Sequence, residues 1–190
     1  MSPSLNSNHH YIFNFPPVWI DKAKEIRKAE DEIPGENKVY SAYRWSGKLG
    51  EWGFYTLYKD MKPVTSNFKA EDKDFISGIT GLKYDTKVKN ASTGFEEHYH
   101  ADLNKDQYLK GEKAGIDIYV FAFYMLGTNY LRFCGWIYRN QVETRGVLWK
   151  EGQMFLKYKV KADKYSINYA ELNSMHLLSE VVKEQLQRSP

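Results

Sequence analysis

From Asp74 to Lys89 the chain reads DFISGITGLKYDTKVK, two acids and three lysines around a turn with glycine at either end. Within 82–89 side chains alternate: Leu82, Tyr84, Thr86 and Val88 face one way, and Lys83, Asp85, Lys87 and Lys89 the other. With the turn centred between Gly78 and Gly81, a loop of two or four residues gives one register. Phe75 then meets Tyr84, and Asp74 lies opposite Asp85. Directly opposed β-carbons are about 4.5–5.5 Å apart, where like charges repel. A hard divalent cation removes that repulsion, because Mg²⁺ takes oxygen ligands at about 2.0–2.1 Å. Lys87 stands one strand repeat, about 6.6 Å, from Asp85 on the same face. It suits a point charge aimed at an attacking water or at charge developing on a phosphoryl group. The same residues also read as a solvated hairpin edge. Acid-x-Lys occurs four times, at Glu36-Lys38, Asp60-Lys62, Glu71-Lys73 and Asp85-Lys87, and a slip of one residue would part the two aspartates.

Upstream, Glu51, Phe54, Tyr55 and Tyr58 fall at i, i+3, i+4 and i+7, one face of a helix. A carboxylate in an aromatic stripe is costly when buried unless it is paired or lies beside a cation. At the edge of the stripe it would instead pair with Lys48 or Arg44. The glycines of GKLGE let this backbone pack closely on a neighbour.

The elements that must hold these groups follow from periodicity. Residues 1–17 read as a polar lead-in arm turning at Pro16-Pro17, and residues 18–190 as a single domain. A charged helix is expected over 18–33, ended by PGEN. A second is expected over 47–61, stopped by Pro63. Strands are expected at 73–77, 82–89, 116–125 and 130–139, and unbroken apolarity in 116–125 marks a central strand covered on both sides. The stretch 101–115 reads as a short helix or loop and 153–161 as an edge strand. A closing helix is expected over 168–187, with Asn168 as its N-cap and Glu171 three residues on. The fold class is α/β, a mixed central sheet flanked by helices.

Glu51 in GKLGE, Asp74 in DKDF and Asp85-Thr86-Lys87 in KYDTKVK together resemble the active site of the PD-(D/E)xK nuclease superfamily. Its pattern is a helix bearing a glutamate, an aspartate entering a β-hairpin, and an acid-x-Lys on the second strand. The later strands IDIYVFAFYM and YLRFCGWIYR resemble the core strands after that hairpin. The resemblance implies a restriction-endonuclease-like core and metal-dependent hydrolysis of DNA phosphodiester bonds, as in phage and bacterial members. It implies Asp74 and Asp85 as metal-binding acids, the Thr86 carbonyl as a further ligand, and Lys87 as the residue that orients or activates water. Glu51 would be the helix acid, reaching the same metal indirectly or a second one. Mg²⁺ is the implied cofactor, with Mn²⁺ as a substitute. Lys83 and Lys89 are expected nucleic-acid contacts; Gln107 and Tyr108 would help hold water or phosphate as in some relatives, although a polar helix surface fits them better, and a homodimer is implied by cutting of both strands. Lys73 stands where the family commonly has proline, and Asp85 where glutamate is commoner. A nuclease-like fold that binds nucleic acid without cutting it is the alternative.

Composition bounds these readings. In 190 residues, 42% are hydrophobic and 15 are tyrosine, enough to build a core, and the net charge is +3. The single cysteine, Cys134, excludes an internal disulfide and a cysteine-based zinc site. No apolar run is long enough to span a membrane, and no signal peptide is expected. The expected setting is therefore the cytoplasm, with a phage-encoded protein acting in its host as one case. FEEHYHADL would align Glu96, His98, His100 and Asp102 if extended, but an edge-strand or substrate-contact role fits better than a metal site. The lysines and aromatics of 149–169 suit either phosphate and base contact or a guarded sheet edge.

Overall fold

Every side chain of Ile118–Met125 except the last is buried, as a strand covered on both faces requires. This strand lies at the heart of the chain. The computed structural model describes residues 4–5, 10–31, 45–58, 61–63, 75–78, 80–96, 99–155 and 158–178. In chain order these hold β1 (Ser4–Leu5), β2 (Tyr11–Asn14), α1 (Val18–Asp31), α2 (Ser46–Leu57), β3 (Met61–Pro63) and β4 (Phe75–Ser77). Next come β5 (Lys83–Ala91), β6 (His100–Asn104), α3 (Lys105–Ala114), β7 (Ile118–Met125) and β8 (Tyr130–Tyr138). A short helix α4 (Val142–Arg145) leads into β9 (Val147–Trp149), β10 (Met154–Phe155), β11 (Tyr158–Lys159) and β12 (Lys164–Asn168).

Seven strands form one mixed sheet in the order β1-β2-β8-β7-β5-β4-β3. The β4–β5 pair is antiparallel, whereas β5 and β7 run parallel from Tyr84↔Ile118 to Ala91↔Met125. A parallel pair needs a long crossover, here supplied by β6 and α3. That helix ends in a Schellman arrangement: Gly115 is left-handed at φ +71°, and the Ile116 and Gly115 N–H groups donate to the Gly111 and Glu112 carbonyls.

Two cores lie on the two faces of the sheet. Ile118, Val120 and Tyr124 join Tyr84, Phe133 and the α2 residues Leu49 and Phe54 on one face. Tyr119, Phe121 and Phe123 join Leu103, Ile137 and Ile167 on the other. The second face is roofed by α3 and by a smaller sheet ordered β6-β12-β9.

Several expectations are corrected here. The helix expected through residue 61 stops at Leu57, because Met61–Pro63 pairs with β4. Residues 101–115 divide into strand β6 and helix α3. The edge strand expected at 153–161 is a hairpin of its own, β10 with β11. The closing helix does not begin at Asn168. That residue ends β12, which pairs on both sides with β6 and β9, and its side chain caps only a 3₁₀ turn by accepting from the Ala170 N–H at 2.9 Å. Helix resumes at Met175, and residues beyond 178 lie outside those described. Part of the expected N-terminal arm, Tyr11–Asn14, adds β2 to the main sheet beside β8. No helix among the described residues is long and apolar enough to cross a membrane.

Candidate active site

The register needed by the acidic hairpin is present. Phe75 pairs with Tyr84 and Ile76 with Lys83, and the Ser77 N–H donates to the Leu82 carbonyl at 2.8 Å across a four-residue loop. Asp74, the acid expected opposite Asp85, lies outside the described residues. Alternation along β5 also holds: Tyr84 and Val88 enter the α2 core, while Asp85 and Lys87 leave the opposite face with Tyr119 and Phe121.

That opposite face is not open solvent, and this sets the electrostatics. Asp85 is only 5% exposed. A buried carboxylate needs a charged or hydrogen-bonding partner, and Lys87 Nζ lies 2.7 Å from Asp85 Oδ2. The lysine side chain is 24% exposed against 7% for the aspartate. The pair is thus rooted in the protein at the acid and reaches water at the ammonium. Beside it, Tyr119 occupies the facing position on β7. Burial, with the nearby Asp85 carboxylate adding to it, holds this phenol protonated far above the ordinary tyrosine range.

Backbone direction places one more oxygen. The Lys83 and Ala91 carbonyls accept from Asp117 and Leu126 on the β7 side, and the Leu82 carbonyl accepts from Ser77 on the β4 side. Successive peptide groups alternate, so the Thr86 carbonyl points to the β4 side, two residues beyond Tyr84, the last residue of β5 with a described β4 partner. A carboxylate and a backbone carbonyl from adjacent residues are hard oxygen donors, and they fit Mg²⁺ or Mn²⁺ better than a soft metal.

The other expected residues take different places. Glu51 is bonded to Lys48 at 3.0 Å on α2, the pairing expected for an acid at the edge of the stripe; Tyr55, one turn on, is exposed. A Cβ on the preceding residue, Gly50, would run into Val88, so α2 packs on the Tyr84 and Val88 face of β5, opposite the face from which Asp85 and Lys87 project. Glu51 is therefore carried on the side of the sheet away from the Asp85–Lys87 pair, and the structure does not bring the expected helix acid together with them. The Lys83 ammonium donates to the Ala114 carbonyl at 3.2 Å, tying β5 to the end of α3. Lys89 donates to the His100 carbonyl at 2.7 Å and to Asp102 at 3.2 Å. Gln107 is exposed on α3. Tyr108 is 4% exposed with its ring 5.1 Å from that of Tyr165, which gives it a packing role where a surface contact was expected.

Sequence reading missed Asp102 as a hub: Lys89 and Lys164 both pair with it, and Ser166 Oγ donates to it at 2.9 Å. The alternation in HADLN was the available signal. Among the described residues no three His, Cys, Asp or Glu side chains gather as a metal-binding group. A cavity of about 350 Å³ opens elsewhere, lined by His10, Cys134, Tyr169 and His176 among others. No protein-family model matches this chain, and comparison with curated proteins gives no match.

Proposed function

We propose that this protein is a metal-dependent endonuclease that hydrolyses DNA phosphodiester bonds on a restriction-endonuclease-like core. The observation that carries the reading is the Asp85–Lys87 pair, 2.7 Å apart and rooted below the surface of β5, at the point where the described β4 partner ends. The order of elements supports it: a helix with Glu51, a hairpin, a second strand bearing acid-x-Lys, and a helical crossover to a parallel strand.

The proposal assigns Asp85, the Thr86 carbonyl and Asp74 as the ligands of Mg²⁺ or Mn²⁺. Asp74 is required opposite Asp85, the next pair in the register begun by Phe75 and Tyr84. A bound divalent ion supplies polarisation of a phosphoryl oxygen and a water of lowered pKa. Asp85 contributes a carboxylate already desolvated and oriented, so little reorganisation is needed when charge arrives. Lys87 keeps one ammonium between that carboxylate and solvent, where it orients an incoming water and offsets charge that builds on the phosphoryl oxygens. Glu51, carried on the other side of β5, would keep only an indirect role, through water or a second ion. DNA is the proposed partner, and a homodimer would let one small site serve each strand.

Plasmid and single-stranded DNA incubated with Mg²⁺ or with EDTA test the assignment. Cleavage is expected with Mg²⁺ alone, and is expected to vanish in Lys87→Ala. Removing Lys87 takes the ammonium from a buried carboxylate and can cost about 3–5 kcal/mol, so Lys87→Arg serves as the folded control, retaining charge but losing most activity. Mg²⁺-dependent nicking that survives in Lys87→Ala defeats the proposal.

One observation favours the alternative of a non-cutting nucleic-acid-binding module. The described ion pairs of Asp85 and Glu51 go to lysines of the same chain, an arrangement that closes without a metal. That reading expects salt-sensitive DNA binding and no Mg²⁺-dependent product.

A further inference from the structure

Two ammonium groups converge on one carboxylate oxygen: Lys89 Nζ is 3.2 Å and Lys164 Nζ 3.1 Å from Asp102 Oδ2. The other oxygen of Asp102 already accepts from Ser166 at 2.9 Å. Two positive charges against one negative leave a net positive point, suited to a second anion. It lies one strand repeat beyond Lys87 on the same face of β5.

From this point an aromatic surface leads outward. Lys164 Nζ sits 5.2 Å from the centre of the Phe155 ring, which also packs edge-on against Trp149 and His100 at 4.8 and 5.5 Å. Phe155 thereby anchors the β10–β11 hairpin, a two-stranded unit too small to hold itself. Its cross-strand partner is Tyr158. Paired residues share a face, yet Tyr158 leaves 74% of its surface in water. A large aromatic ring held in solvent beside a packed one, on a segment where Lys150, Lys157, Lys159, Lys161 and Lys164 outnumber Glu151 and Asp163, combines charge for a phosphate with a flat face for a base.

We propose that the Lys89–Lys164 pair and the β10–β11 hairpin form a track for single-stranded nucleic acid, in which the two ammonium groups hold a backbone phosphate and Tyr158 stacks on an unpaired base. An unpaired strand is the occupant because a duplex hides the base faces that Tyr158 would cover. The track rests on the nuclease reading for its purpose, to hold the strand that leaves the Asp85–Lys87 site. Its binding is measured independently of cleavage.

The test is fluorescence anisotropy of labelled oligothymidine with the full-length protein in EDTA, repeated over a salt series. Tyr158→Ala is expected to weaken binding about tenfold and Tyr158→Phe to leave it near the wild-type value, since stacking needs the ring and not the hydroxyl. Lys164→Gln is expected to weaken binding and to lower the slope of log affinity against log salt by about one contact. Circular dichroism confirms that each variant is folded. Unchanged affinity in Tyr158→Ala overturns the track, as does a Tyr158-dependent dimer with unaltered oligonucleotide binding. Loss of binding in Tyr158→Ala in a protein that never cleaves DNA sustains the track and removes the nuclease reading alone.

Discussion

At Gly111 the absence of a side chain is what allows Tyr119 to lie beneath α3. A Cβ there would collide with the Tyr119 hydroxyl and crowd Ile116. The tyrosine is fully buried, and its hydroxyl has no hydrogen-bond partner among the described residues, which leaves a polar atom desolvated at a cost of about 1–3 kcal/mol. Two consequences are measurable by denaturant unfolding. Gly111→Ala is expected to lose about 1–3 kcal/mol through overpacking. Tyr119→Phe, which deletes the orphaned oxygen, is expected to be neutral or stabilising and to recover much of that loss in the double variant. A Tyr119→Phe protein clearly less stable than wild type would show that the hydroxyl has a partner, bound water included. The same tyrosine faces Asp85 on the neighbouring strand, so this position links the packing of α3 to the candidate site.

Between elements, the contact of β12 with α4 carries a pH signature. Tyr165 on β12 donates to Glu143 Oε1 on α4 at 3.0 Å. Burial first, and then the bond to the Glu143 carboxylate and its charge, push the phenol up to about 12. In the unfolded chain a tyrosine ionises near 10. A group raised in the folded state contributes its stability in full below the unfolded value and loses it as pH climbs through the folded one. Stability is therefore expected to fall between about pH 10 and pH 12, with Tyr165→Phe showing a shallower decline in denaturation midpoint. Tyr119 and Tyr169, also raised by burial, add to the slope that remains. An identical decline in wild type and Tyr165→Phe would remove Tyr165 as a contributor.

For the molecule as a whole, a metal held only by the folded state must stabilise it by mass action. With free Mg²⁺ at ten times its dissociation constant the gain is about 1.4 kcal/mol, a rise of roughly 3–6 °C in melting temperature for a chain of this size. That rise is expected in wild type and is expected to be absent in Asp85→Asn, whose neutral side chain leaves Lys87 in place. Ca²⁺ and monovalent salt at matched ionic strength serve as controls for general screening. Equal shifts in both proteins would place any metal effect away from β5.

What could be read along the chain was whatever local pattern determines. Alternation in 82–89 and the glycines at 78 and 81 sufficed to pair Phe75 with Tyr84, because a strand period of two and a short loop leave little freedom. Apolarity at consecutive positions sufficed to put Ile118–Met125 at the centre of the sheet. Asn168 with Glu171 three residues on suggested helix from Asn168 onward, but pairing with β6 and β9 held residues 164–168 extended, since contacts from distant segments override a local signal. Tertiary structure alone decided that β5 and β7 run parallel, that α3 and the small sheet roof the charged face of β5, and that Lys83 and Lys89 point to Ala114 and Asp102. Lys83 and Ala114 are 31 positions apart, Lys89 and Asp102 13, and no local rule reports which distant partner a charge will find.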